Sequence, residues 1–291
     1  MSKILVLGGT SYDTIVQLDK NPVLRGTFFA KESYERCGST GTAKATALKK
    51  LGAEVTLHTV LGDDEAARAV LECLESFQLP HVIDYYAGAT DQHINILDQA
   101  GNRISLFLPN PMKHHGIDED RLNGLIQDSD IIVLNILDHY KPYLNLLKGR
   151  TVWTDLQDYL EGDPYYAEFI EAAQVIFMSS ERLIDYRSTM RRMGAQGKLI
   201  VATHGKEGST AFQDGRYHEQ DAHDFVLVDS DGAGDNFFAG FLVEYIKKHS
   251  LERSLMTASV AGGLSIETRE LVPSDLTYEM LERTMIERGI R

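Results

Sequence analysis

The stretch Asp229-Ser230-Asp231-Gly232-Ala233-Gly234-Asp235-Asn236-Phe237-Phe238-Ala239-Gly240-Phe241 decides how the rest of the chain is read. Before it, Phe225 to Val228 is a continuous apolar run, which predicts a strand. After it, Phe237, Phe238, Phe241, Leu242, Tyr245 and Ile246 share one helical face. Lys247, Lys248 and His249 close the last turn, where cations suit the helix dipole. The segment reads strand, glycine turn, helix. The first N–H groups of a helix have no internal partner and carry partial positive charge. Glycines ahead of them let a ligand approach the backbone, and successive free N–H groups cradle an anion. Asp235, in the same turn, fits two roles from the residues alone. It is a good helix cap, and it is placed to take the proton of a hydroxyl lying beside a bound phosphate. Cradle plus base is what phosphoryl transfer to an alcohol requires, a reaction in which positioning dominates. The helix terminus should favour the ionised carboxylate.

Working outward, short apolar runs recur at Ile4 to Leu7, Val55 to Val60, Ile131 to Leu134, Thr151 to Thr154, Val175 to Met178 and Leu199 to Thr203. They are continuous rather than alternating, as strands buried on both faces of a parallel sheet are. Helical patterns lie between them, including Thr42 to Leu51, stopped by Gly52, and Glu65 to Phe77. Strands alternating with helices predict a doubly wound α/β fold. From His93 to Leu108 the side chains alternate instead, around a turn-forming stretch at Asp98 to Asn102, which predicts an antiparallel hairpin. With Thr27 to Arg36 as further extended chain, a small β flap on a larger α/β body is expected.

The chain has 291 residues, enough for one large α/β domain. Lys and Arg number 29 against 43 Asp and Glu, a net charge of −14. That excludes the basic footprint of a nonspecific nucleic-acid or anionic-membrane binder. Two cysteines, Cys37 and Cys73, cannot build a disulfide framework or a Cys-rich zinc site. The N-terminal run at Ile4 to Leu7 is too short for a signal sequence, and no run approaches a membrane span. A cytoplasmic protein is expected.

The decisive stretch resembles the C-terminal signature of the ribokinase (PfkB) family of carbohydrate kinases, Asp-Thr-Thr-Gly-Ala-Gly-Asp-Ala/Ser-Phe. It matches at Asp229, Gly232, Ala233, Gly234, Asp235 and Phe237, and departs at Ser230, Asp231 and Asn236. Asp231, beside an anion cradle, either faces solvent or binds a cation. Gly38-Ser39-Thr40-Gly41-Thr42-Ala43 before a helix ending Leu51-Gly52 resembles the N-terminal signature, with Ser39 in place of a glycine and Ala43 in place of a substrate-binding Asn. Gly62-Asp63-Asp64, Asp13, and the loop Thr203-His204-Gly205-Lys206-Glu207-Gly208 also fit in order, while Ser179-Ser180-Glu181 stands where an Asn-x-x-Glu motif belongs.

The resemblance implies a single domain over residues 1–291, with a mostly parallel central sheet, helices on both faces and a small β-sheet lid formed by segments about 14–36 and 84–110. It implies transfer of the γ-phosphoryl group of ATP to a hydroxyl of a small sugar or polyol. Asp235 would be the base and the amides of Gly232, Ala233 and Gly234 the anion hole. Substrate would be bound by Asp13, Gly38, Ser39, Gly41 and Thr42. The nucleotide would be bound by Thr203, Gly205, Gly208, Ser259 and Gly262, magnesium by Glu181, and a monovalent cation such as K+ by Asp229. A nucleoside acceptor, or a silent nucleotide- or sugar-binding protein on the same fold, are the alternatives, and a second copy pairing through the lid is an expected partner.

Other readings are weaker. Gly8-Gly9-Thr10 lacks the spacing of a dinucleotide-binding turn, and no Walker sequence occurs. His114 and His115 lack partners at metal-ligand spacing. Asp155 and Asp158, after a strand, stand at the active edge of an α/β sheet or form a polar loop. Phe28, Phe29, Tyr34, Tyr85 and Tyr86 would stack on a substrate or pack the lid.

Overall fold

In the computed structural model, residues 2–19, 26–98, 103–108, 116–248 and 250–290 are described. His114, His115, His249 and most of the turn at 98–102 lie outside them. In the first third, β1 (Lys3–Leu7), β2 (Ser11–Gln17) and β3 (Glu32–Gly38) lead into α1 (Thr40–Lys50). Then come β4 (Glu54–Leu61), α2 (Glu65–Ser76), β5 (His81–Tyr85), β6 (Gln92–Leu97) and β7 (Arg103–Leu108). The middle alternates α3 (Glu119–Gln127), β8 (Ile131–Asn135), a 3-10 segment (Asp138–Leu147), β9 (Thr151–Asp155), α4 (Ala167–Ala172), β10 (Val175–Ser179), α5 (Tyr186–Gly194) and β11 (Leu199–Thr203). A hairpin of β12 (Ser209–Gln213) and β13 (Arg216–Gln220) precedes three helices, α6 (Ala233–Lys248), α7 (Leu251–Ser265) and α8 (Tyr278–Glu287).

Nine strands form one sheet in the order β13-β12-β11-β10-β9-β8-β1-β4-β5. Among the described residues the seven strands from β5 to β11 in this order pair in parallel, and β12 adds antiparallel pairs to β11 and β13 at one edge. The turn between β12 and β13 is Asp214-Gly215, both at positive φ, the residue pair and geometry of a tight two-residue hairpin. The sheet is buried on both faces. Ile4 and Val6 of β1 join a core with α1, α2, α6, α7 and α8, while Leu5 and Leu7 join a second core under α3 and α5. That two-sided burial is why these strands read as unbroken apolar runs.

A separate four-stranded sheet, β3-β2-β6-β7, is the expected flap. Its hairpin pairs Gln92 with Leu108 and Leu97 with Arg103. The flap's bounds differ from those expected: β2 begins at Ser11 and β3 runs to Gly38, while Asp84 and Tyr85 belong to β5 and pair in the main sheet. Among the described residues no helix is long and apolar enough to cross a membrane.

The run Phe225 to Val228 is not a strand. It has no ladder partner, and Val226, Leu227 and Val228 are exposed at 70%, 49% and 49%. Its backbone is held from the side instead: Val226 N–H donates to the Glu267 carboxylate and Val228 N–H to Ile266 O. Only Phe225 packs inward, in contact with Gly263. The decisive segment is therefore loop, glycine turn, helix.

Candidate active site

Helix α6 is placed by its aromatics. Phe238 and Phe241, one turn apart, meet Trp153 of β9 edge-on with ring centroids 6.1 Å apart, and both lie on Phe177 of β10. Around the helix, residues 237 to 244 are all buried, as a central helix must be. This packing aims its N-terminus at the C-terminal ends of β9, β10 and β11, where open α/β sheets hold ligands. A cavity of about 220 Å³ lies there, lined by residues 230–235, Phe237, Asp155, Gln157, Asp158, Ser179, Thr203, Thr40 and the flap residue Arg103.

The turn's geometry follows from its residues. Gly232 has φ +80, and a Cβ there would fall 2.6 Å from Leu271 O. Asn236, which replaces a small residue of the signature, ties the turn down: its Nδ2 donates to Gly232 O at 2.9 Å and to Leu271 O at 3.1 Å. The N–H of Ala233 donates to Ser230 O at 3.3 Å. Ala233 is thus partly engaged, contrary to the expectation of three free amides, and the amides of Gly232 and Gly234 flank it.

Asp235 lines the cavity and is 8% exposed. Its Oδ1 accepts a hydrogen bond from Lys44 Nζ. Lys44 lies fully buried on α1 and also pairs with Asp155 Oδ2 at 2.9 Å. Burial pushes the Asp235 carboxyl up to about 6; the Lys44 ammonium opposes the rise, and Asp155 and Asp231 add to it. The expectation that the helix terminus would dominate is corrected: desolvation outweighs it. Burial alone would lower Lys44, but the two carboxylates outweigh burial and hold the ammonium above the ordinary lysine value.

The Asp231 carboxylate, 16% exposed, is turned toward cationic side chains of the flap. Two flap arginines, Arg36 and Arg103, hold its carboxylate. Arg36 also reaches Asp229 Oδ2 at 3.5 Å, and Asp229 Oδ1 accepts the Asp231 N–H at 2.9 Å. With a guanidinium on its carboxylate, Asp229 does not fit a monovalent cation site.

The expected substrate residues are divided. Asp13 is 3% exposed, and its Oδ1 accepts from the His93 N–H at 3.1 Å and contacts His93 Nδ1 at 2.9 Å. Gly38 is the residue that leaves it room, since a Cβ there would sit 2.0 Å from Asp13 Oδ2. Ser39 keeps the glycine-type backbone of the position it occupies, φ 73 and ψ 150, at the start of α1. Gly41 and Thr42 are buried in the first turn of α1, and their neighbour Thr40 is the one that lines the cavity.

The nucleotide residues are divided too. Thr203 lines the cavity with Asp235, while Gly205 and Gly208 shape the adjoining loop at φ +56 and +99. Ser259 and Gly262 of α7 line neither cavity described; Gly262 instead packs near Ala233 O and Phe237. Glu181 lines a second cavity of about 480 Å³ with Ser180, His204, Glu207, Glu219 and Asp221. Oxygen donors of this kind suit magnesium. Among the described residues no three His, Cys, Asp or Glu side chains converge to hold a metal by themselves, so magnesium there would bring water and phosphate oxygens as its other ligands. The two cavities adjoin through Ser179-Ser180 and Thr203-His204.

Sequence reasoning missed Lys44, Arg36 and Arg103. Lys44 carried a usable signal: with Leu48 and Leu51 it follows the i, i+4, i+7 spacing of the buried face of α1. The arginines had none, because their partners lie 193, 195 and 128 residues away.

A family model described as pfkB family carbohydrate kinase matches residues 167–276. The chain is 29% identical over 274 residues to the acarbose 7(IV)-phosphotransferase of an Actinoplanes species, covering 89% of this chain and 90% of that protein. It is 24% identical over 308 residues to a nucleoside kinase of Methanocaldococcus jannaschii, covering 98% and 99%. Among solved structures it is similar to a microbiome-derived acarbose kinase, with a TM-score of 0.86 at 25% identity over 98% of this chain and 99% of that one. The matched segment holds the Gly-Ala-Gly-Asp turn and the loop at 203–208; α1 and the flap lie outside it.

Proposed function

We propose that this chain is a ribokinase-like (PfkB) carbohydrate kinase that moves the γ-phosphoryl group of ATP to a hydroxyl of a small sugar or polyol, with Asp235 as the base. One observation carries the reading: Gly232, Gly234 and Asp235 line the same cavity. The acceptor oxygen would approach the carboxylate while the γ-phosphoryl group rests against the turn. Backbone dipoles fixed there stabilise the charge that develops on the moving group and need no reorganisation when it does. At neutral pH a carboxyl group titrating near 6 is largely ionised, yet more basic than an ordinary aspartate, which suits it to accept a hydroxyl proton late in the transfer.

ATP would run from the turn past Thr203 to the loop shaped by Gly205 and Gly208, with Glu181 among the carboxylates that would hold its metal. Magnesium bound with the nucleotide neutralises phosphate charge. No step is assigned to potassium, since Arg36 lies on Asp229.

The names of the relatives supply the acceptors to try: acarbose, D-ribose and the nucleoside inosine. The nucleoside reading is kept because similarity to a nucleoside kinase spans nearly the whole chain. Purified protein with Mg-ATP and each acceptor in turn is assayed for ADP and for the phosphorylated product by mass spectrometry. Transfer to one acceptor, lost in Asp235→Asn, is the expected result. Tight acceptor binding without transfer to any would instead identify a silent binding protein.

A further inference from the structure

Lys44 is a lysine with almost no exposed surface. A lysine ammonium is rarely taken fully out of water, because the desolvation cost is recovered only when carboxylates meet it in good geometry. Here two do: Asp155 from the end of β9 and Asp235 from the first turn of α6. The ring of Phe238 lies 5.3 Å from the same nitrogen. Lys44 follows Ala43, the position where the family's substrate-binding Asn is missing. The wall it supports is otherwise acidic, with Asp155, Asp158, Asp231 and Asp235 around one cavity. Of these, Asp231 is already neutralised from the flap by Arg36 and Arg103, together with Asp229 through Arg36. Asp235 has Lys44 as its ion-pair partner.

We propose that Lys44 is a positioning residue for phosphoryl transfer: by holding Oδ1 of Asp235 against Asp155, it fixes the carboxylate's orientation, leaves Oδ2 for the acceptor hydroxyl, and keeps the carboxylate ionised inside an acidic, desolvated cavity. The lysine neither enters nor leaves the reaction. It acts through Asp235, and the proposal rests on the reading of Asp235 as the base. A purely structural lysine would serve the fold equally well if its charge were replaced by packing, since buried ion pairs are often matched by apolar residues of similar volume.

The test uses the whole, ligand-free protein labelled with carbon-13 at aspartate carboxyls, the Asp235 signal being assigned by its loss in Asp235→Asn. The wild-type midpoint is expected near 6. In Lys44→Met, similar in length but uncharged, it should rise by about one unit or more. In Asp155→Asn, which removes a negative neighbour and leaves Lys44 to Asp235 alone, it should fall. This opposite shift keeps the idea testable if Lys44→Met fails to fold. With whichever of acarbose, D-ribose or inosine is phosphorylated, Lys44→Met should lose about 10²-fold in kcat at pH 7. It should regain much of that at pH 9 and keep its KM for ATP within about threefold. Lys44→Arg should recover part of the loss. An Asp235 midpoint unmoved in both variants overturns the role of Lys44, even if thermal stability drops. Full turnover in Asp235→Asn overturns the base assignment instead and leaves the titration result standing, so the two failures are separable.

Discussion

At the scale of single residues, two positions let chemistry and strain be measured apart. Asp235→Asn keeps the size and a hydrogen-bond acceptor for Lys44 but cannot take a proton. Turnover should fall by about 10²- to 10⁴-fold while ATP binding, followed by calorimetry, changes little. The same assignment fixes a pH profile. The base must be ionised to act, so kcat should drop about tenfold per unit as pH falls below about 6, and stay flat between 7 and 8. A rate that is level down to pH 5 contradicts the assignment. Ser39 offers the contrasting case, strain without chemistry. Its backbone conformation, φ 73 and ψ 150, is one that glycine adopts freely and other residues do not. Ser39→Gly should therefore stabilise the protein by about 1 kcal/mol, read as a higher urea midpoint at unchanged slope. Both residues were visible in the sequence, Asp235 from its place after Gly-Ala-Gly and Ser39 as a substitution in a glycine position. What the residues alone could not disclose was burial. The helix terminus made Asp235 look like an ordinary ionised cap, and only the packing of α1 and β9 against it shows why its carboxyl is raised.

At the scale of elements, legibility depended on whether a segment's partners were local. The glycine turn and α6 were readable because capping, turn and apolar face all lie within one stretch. Phe225 to Val228 misled for the converse reason: an apolar run predicts burial, but a strand also needs a neighbouring ladder, and this run has none. The hairpin turn at Asp214-Gly215 was equally local and was passed over. The contact between flap and body is the least local feature. Arg36 of β3 and Arg103 of β7 both close on Asp231, where the family signature carries an uncharged residue. Arg269 extends the contact to Glu32 of β3 at 3.1 Å. The side chains of Arg36 and Asp231 are only 13% and 16% exposed, so this pair is screened less than a surface one. Asp231→Asn should loosen the flap. Amide exchange in β3 and β7 should speed up by about three- to tenfold, with β1 and β8 unchanged as internal controls. Equal exchange rates in the variant would mean that the flap is held by its backbone pairing and not by these charges.

At the scale of the whole molecule, the body was legible and the orientation of the flap was not. Two-sided burial writes unbroken apolar runs into β1, β4, β8, β10 and β11, and the fold class follows from their alternation with helices. The flap's hairpin was equally plain from its alternation, but alternation does not say which face turns inward. Register and partners decide it. Asp13, Ile15, Tyr34, His93, Asn95, Leu97, Arg103, Ser105 and Phe107 share the face that carries the ion pairs to the body, with Ile15 and Leu97 buried in it. Val16, Ile94, Ile96, Ile104, Leu106 and Leu108 share the other face, and the last three are 37%, 47% and 44% exposed. Both faces mix apolar and polar residues, but the exposed Ile104, Leu106 and Leu108 form apolar surface that another protein surface would bury. With β7 at the sheet edge, a second copy brings both a matching apolar face and a matching edge. The chain should therefore scatter light as a dimer at micromolar concentration, and Leu106→Lys, in the centre of that face, should give a folded monomer with unchanged far-ultraviolet circular dichroism. Because Arg103 sits on the same strand and lines the cavity, dissociation should also raise the KM for the acceptor more than it lowers kcat. A wild-type chain that remains monomeric at 50-fold higher concentration would leave this outer face without a partner of its own kind.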